Sequence, residues 1–86
     1  MEGGVPKIDL REAISRLERG VVKYEVLRAI CDTLFMFKRE KKTSHRLYED
    51  PRTGELVNIQ MGKAGDAKPY QQRQVMNLLR RRREAE

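Results

Sequence analysis

Phe35-Met36-Phe37-Lys38-Arg39-Glu40-Lys41-Lys42-Thr43-Ser44-His45-Arg46-Leu47-Tyr48-Glu49-Asp50-Pro51-Arg52-Thr53-Gly54-Glu55-Leu56-Val57-Asn58-Ile59-Gln60-Met61 is where the hydrophobic period of this chain shortens from that of a helix to that of a strand. Phe35-Met36-Phe37 reads as a strand running out into a charged turn at Lys38 to Lys42. Ser44 to Glu49 alternates loosely and forms a second strand. Asp50-Pro51-Arg52-Thr53-Gly54 is a turn with a mechanism, because Pro51 presets φ and Gly54 takes the left-handed residue. Val57, Ile59 and Met61 alternate with Asn58 and Gln60, which predicts a half-buried third strand. Short strands joined by tight connections make an antiparallel meander.

Helical patterns flank the strands. Upstream, Leu10, Ala13, Ile14 and Leu17 recur at helical spacing; Asp9 and Glu12 have capping-box spacing and Gly20 is a stop, so a helix is predicted over about Leu10 to Arg19. A second stripe of Val26, Leu27, Ile30, Cys31 and Leu34 predicts a helix from about Lys23 to Thr33. Downstream, Gly62 to Lys68 is a small-residue loop. Pro69 suits a first helical turn, and Gln72, Val75, Met76 and Leu79 mark one face of a last helix that Arg80 to Arg83 extend. Met1 to Pro6 is a lead-in without a core pattern.

The predicted order is α-α-β-β-β-α. It is an α+β fold, a three-stranded antiparallel sheet with helices on one face, and its αβββα core is the arrangement of the double-stranded RNA-binding domain. We divide it into residues 1–21, a tail and short extension helix, and residues 22–86, the core domain.

Composition narrows the function. Eighty-six residues exclude a multidomain enzyme with its own cofactor domain. No apolar run approaches the roughly 20 residues of a membrane span, and Lys7, Asp9, Arg11 and Glu12 break up any signal-peptide core, so the default address is the cytoplasm. A single cysteine within an apolar stripe, Cys31, reads as packing, and one histidine plus one cysteine are too few for a structural zinc site. No metal and no cofactor are expected. Nineteen Lys and Arg against 13 Asp and Glu give a net charge of +6, which points to a polyanion such as RNA or to an acidic protein.

His45 is the one imidazole in the chain, set among Lys41, Lys42, Ser44 and Arg46. A histidine among cations is the minimum for cutting RNA: the imidazole moves the proton of the ribose 2′-hydroxyl or of the leaving oxygen, and the cations stabilise charge on the phosphate. Ser44 beside His45 is no hydrolase pair, because neighbouring strand side chains point to opposite faces. Tyr48 and Tyr70 are candidates for stacking on bases, with Tyr48 the better fit to sheet packing. If Leu47 packs inward, alternation puts His45 on the helix-facing side as well, at the strand's frayed start.

Three segments together resemble one family. Thr43-Ser44-His45-Arg46-Leu47-Tyr48, a proline turn and Leu56-Val57-Asn58-Ile59-Gln60 resemble the Gly-Ser-His motif and apolar strand of the HicA (YcfA-like) toxins. Gly65-Asp66-Ala67-Lys68-Pro69-Tyr70-Gln71-Gln72-Arg73-Gln74-Val75 resembles that family's Lys-Pro-Tyr-Gln segment, and Val22-Lys23-Tyr24-Glu25-Val26-Leu27 its first core helix. The likeness runs from about Val22 to Leu79. It implies an mRNA interferase of a type II toxin–antitoxin pair, a metal-independent endoribonuclease silenced by a HicB-type antitoxin. It also implies that His45 is the catalytic residue, with Lys68 and Pro69 near the RNA phosphate. Lys41, Lys42, Ser44, Arg46, Lys68, Tyr70 and Arg73 complete the expected RNA contacts.

Two departures stand out. Thr43 occupies the family's glycine position, and Leu34-Phe35 stands where a glycine usually precedes the first strand. Two other readings use the same charge. One is a catalytically silent RNA-binding module, in which Arg80 to Arg83 matter more than His45. The other is a protein-interaction domain for an acidic partner.

Overall fold

The computed structural model describes residues 8–41 and 44–85. Its elements run α1 (Leu10–Glu18), α2 (Tyr24–Leu34), β1 (Met36–Lys41), β2 (His45–Glu49), β3 (Leu56–Ile59), a short 3-10 turn (Lys63–Gly65) and α3 (Pro69–Ala85). The strands form one antiparallel sheet in the order β1-β2-β3, the expected meander.

Local chemistry explains most boundaries. The Asp9 carboxylate accepts from the Glu12 amide at 2.8 Å and caps α1. Pro69 opens α3 where its missing amide costs no helical bond. The turn after β2 closes through Asp50, whose carbonyl accepts from Gly54 N at 2.8 Å, and Gly54 takes φ 78, which a side chain would resist. The lead-in, Met1 to Pro6, lies outside the described residues.

One expectation fails at β1. The charged run Lys38 to Lys41 is strand, not turn. It survives as strand because β1 is an edge whose residues are all exposed, so its charges keep their water. The register slips between Phe37 and Arg39, making Lys38 the extra residue of a β-bulge. Phe37 pairs with Tyr48 on the helix side, and the bulge turns Arg39 and Lys41 to the opposite face, against Leu47 and His45.

The core lies between the sheet and the helices. Tyr48, Val57 and Ile59 point inward and pack with Leu27, Ile30 and Cys31 of α2 and Val75, Leu78 and Leu79 of α3. Ala13, Ile14 and Leu17 of α1 belong to the same buried cluster, so the extension helix completes the core. Cys31 is fully buried and burial pushes its thiol well above the ordinary range, so it is packing, as its stripe predicts.

Polar side chains fasten these layers. Gln72 on α3 is buried; its amide donates to the carbonyls of Leu17 at 3.1 Å and Gly20 at 2.8 Å, and its oxygen accepts from Val22 N at 3.1 Å. Gln71 accepts from Gln60 N at 2.9 Å and ties α3 to the end of β3. The arginine run is a set of clamps: Arg80 to Glu18 at 2.7 Å, Arg81 to Glu55 at 3.2 Å, and Arg82 to the buried Asp50 at 3.3 Å. Three of the four cations of that run are thus already matched by carboxylates, which takes charge away from any role in binding phosphate.

Candidate functional site

The site is built on the face of the sheet that carries no helix. The inward partner of Arg46 is Ile59, and that of Tyr48 is Val57. The intervening residues His45 and Leu47 therefore face outward, with Asn58 opposite Leu47. Leu47 does not pack inward with His45 beneath it. The pair is on the open face, and His45 is exposed there. Arg39, Lys41, His45, Leu47, Leu56 and Asn58 line a shallow depression of about 260 Å³.

Arg46 decides this parity. Its guanidinium is buried, so it must be paired, and three elements supply the partners. Nη1 meets Glu40 of β1 at 3.1 Å, Nη2 meets Asp32 of α2 at 3.4 Å, and Nε donates to the Tyr48 hydroxyl at 2.9 Å. That hydroxyl donates in turn to Asp32 at 2.5 Å, and the Phe37 ring lies 4.4 Å under the guanidinium. Burial works against the arginine's charge, but Tyr48, Asp32 and Glu40 outweigh it and raise its pKa. Burial first, then the bond to Asp32, pushes the Tyr48 phenol upward. Arg46 was expected beside His45 on the RNA; it faces the opposite side of the sheet with its donors taken. Tyr48 is fully buried, as sheet packing requires.

The start of β2 is held from two directions. The Tyr24 hydroxyl on α2 donates to the Ser44 carbonyl at 2.9 Å, and the Ser44 Oγ accepts from Met61 N at 3.3 Å. Ser44 is therefore a fastening for the backbone that carries His45. Pairing Ser44 with Met61 extends the β2–β3 register and sets Gln60 across from His45. The Lys68 ammonium donates to the Gln60 side chain at 3.3 Å, which brings a cation from the α3 approach to this end of the sheet. Lys41 pairs with His45 on the other side.

Of the residues singled out from sequence, His45, Lys41 and Lys68 are brought to one region. Tyr70 is 63% exposed at the start of α3. Arg73 lines a separate depression of about 190 Å³ with Leu17 and Met76, on the α1–α3 side. Lys42 and Thr43 lie outside the described residues. Sequence reading missed Arg39, Asn58, Gln60 and Tyr24. Asn58 and Gln60 alternate with the buried Val57 and Ile59, a signal that would have found them had the parity of β2 been known. Nothing in the sequence announces the bulge that delivers Arg39.

Chemically, the arrangement offers one exposed imidazole able to give or take a proton, two or three ammonium and guanidinium groups to meet a phosphate, and an apolar floor. Among the described residues no helix is long and apolar enough to cross a membrane. Compared with protein-family models, with curated proteins and with solved structures, the chain matches none.

Proposed function

We propose that this chain is a metal-independent endoribonuclease of the HicA mRNA-interferase kind, acting in the cytoplasm and neutralised by a HicB-type antitoxin. The observation that carries the reading is the exposed His45, fixed at the start of β2 by Tyr24 and Met61 and flanked by Lys41 and Lys68. The α2-β1-β2-β3-α3 order, read as the double-stranded RNA-binding-domain arrangement, supports it. So does the net charge of +6, since RNA affinity rests first on phosphate neutralisation.

In this mechanism the neutral His45 imidazole takes the proton of a ribose 2′-hydroxyl. The oxygen attacks the adjacent phosphorus, the bond to the 5′-oxygen breaks, and that oxygen leaves as a hydroxyl on taking a proton from solvent water or from the His45 imidazolium just formed. The products are a 2′,3′-cyclic phosphate and a 5′-hydroxyl end. Lys41 and Lys68 stabilise the extra charge on the phosphate in the transition state.

The test uses end-labelled RNA in excess EDTA with wild type and His45→Ala, both shown folded by circular dichroism. Wild type should cut and leave cyclic phosphate ends. The variant should lose roughly 10²–10⁴-fold in rate, the range of a general acid–base group, with its stability little changed because the side chain is exposed. Equal cutting by both proteins, or cutting that requires a divalent ion, refutes the mechanism. Salt-sensitive binding without cutting by either protein points to the silent RNA-binding module.

A further inference from the structure

Lys68 also lines a second concavity, separate from the depression at His45. Val21, Gly62, Lys63, Asp66, Ala67, Lys68 and Pro69 line an open groove of about 370 Å³. Its walls are mainly apolar: Val21 is 58% exposed at one side, Pro69 is exposed at another, and the buried Ala67 is the floor. The loop beneath it is fastened by Ala67 N to Val22 O at 2.9 Å and Gly62 N to Asp66 O at 2.7 Å.

The charge on this groove is one-signed. Its single carboxylate, Asp66, is held by Lys23 at 3.0 Å, and the same ammonium donates to the Ala64 carbonyl at 3.1 Å. That leaves Lys63 and Lys68 at the rim of an apolar slot. A flat apolar body bearing a negative charge at its edge fits such a slot, and an unpaired nucleotide has that form: a base to cover the apolar walls and a phosphate for the lysines. Lys68 lines this groove and also reaches towards the end of the sheet that carries His45, because its ammonium rests on Gln60, across from His45.

Gly62 keeps Lys68 in place. A Cβ at this position would lie 3.1 Å from the Asp66 carbonyl oxygen and 3.3 Å from Cγ of Lys68, so any side chain here crowds both the loop backbone and the Lys68 stem.

We infer that the groove between Val21 and Pro69 seats one unpaired base of the RNA strand next to the bond cut at His45, with Lys68 bridging the two subsites through its phosphate. This rests on the ribonuclease reading and adds to it a preference for single-stranded substrate. Duplex RNA has no free base to place in the slot.

The test takes His45→Ala as background, so that RNA is bound without being cut. Short single-stranded RNAs carry the fluorescent base 2-aminopurine at successive positions. A rise in fluorescence is expected at one position, where the base leaves the stack of its neighbours for the aliphatic walls of the groove. Adding Val21→Asp, which puts a carboxylate on the exposed wall, should abolish that rise and raise the Kd about tenfold, the loss that about 1.4 kcal/mol of contact produces. Gly62→Ala, which crowds the Asp66 carbonyl and the Lys68 stem, should weaken binding without a charge change, and a fully duplex RNA should bind no better than Val21→Asp binds the single strand. A position-specific rise in fluorescence that survives Val21→Asp overturns the groove while leaving the nuclease reading intact. Unchanged affinity in both groove variants does the same. No salt-sensitive binding of any RNA overturns both readings together.

Discussion

Gln72→Ala tests how the extension helix is attached. The Gln72 side chain makes three hydrogen bonds, to the carbonyls of Leu17 and Gly20 and from the amide of Val22, which join α3 to the end of α1 and the start of the α2 approach. Each such bond contributes about 1 kcal/mol net, and the three sum to roughly 3 kcal/mol. Alanine's better helix propensity returns only a few tenths of a kcal/mol, so the expected loss is about 2.5 kcal/mol. The chain has no tryptophan, so the assay is urea unfolding followed by far-ultraviolet circular dichroism. With a slope of about 1 kcal/mol per molar for a domain this small, the midpoint should fall by about 2.5 M. Gln72→Glu sharpens the test. It keeps the acceptor for Val22 N but aims a carboxylate at two carbonyl oxygens, so it should be at least as unstable at neutral pH. It should recover as pH falls from the raised folded-state pKa of that buried carboxyl towards the unfolded value of about 4.3, as the carboxyl regains a proton to donate. A midpoint drop below about 0.5 M for Gln72→Ala would refute the reasoning and assign the attachment of α1 to Ala13, Ile14 and Leu17 alone.

Two further predictions concern the hydroxyl and thiol groups. Tyr24→Phe removes the bond to the Ser44 carbonyl; it should cost about 1 kcal/mol in urea unfolding and, on the proposed ribonuclease reading, lower kcat more than it changes KM through the loosened start of β2. Cys31, Tyr24 and Tyr48 all have their pKa raised by folding, by burial first. The folded state then holds these protons more tightly than the unfolded chain, so their contribution is complete at neutral pH. It is lost as pH rises past the unfolded values of about 8.5 for the thiol and about 10 for the phenols. Urea midpoints measured from pH 7 to 11 should decline in that order, and Cys31→Ala should remove the part of the decline that begins near pH 8.5.

The ion-pair clamps make the arginine run a poor place to look for RNA contacts. Arg80, Arg81 and Arg82 reach carboxylates on α1, in the β2–β3 turn and under that turn. A run of like charge in a sequence looks like a polyanion site because its partners are far away along the chain: Glu18 lies sixty-two positions before Arg80. His45 has the reverse history, with partners that are near in sequence yet assigned to faces only by the fold.

The elements themselves were legible in the residues. Helical spacing at Leu10, Ala13, Ile14 and Leu17, the Asp9 cap, the Asp50–Gly54 turn and Pro69 are local features, and local features fix where elements begin, end and turn. The meander followed from its short connections. Which face of the sheet each residue occupies was not local. Leu47 is the more apolar neighbour of Arg46, and alternation alone favours burying it. The tertiary structure buries Arg46 instead, because Asp32 from α2, Glu40 from β1 and the Tyr48 hydroxyl converge on its guanidinium. The bulge at Lys38 makes the same choice for β1, sending Glu40 inward and Arg39 and Lys41 out to His45. Sequence by itself determined the elements other than the full extent of β1, their order, and the one imidazole able to move a proton. Only the packed structure decided that this imidazole lies on an open cationic face, because a one-residue shift in pairing moves every side chain of a strand to its other side.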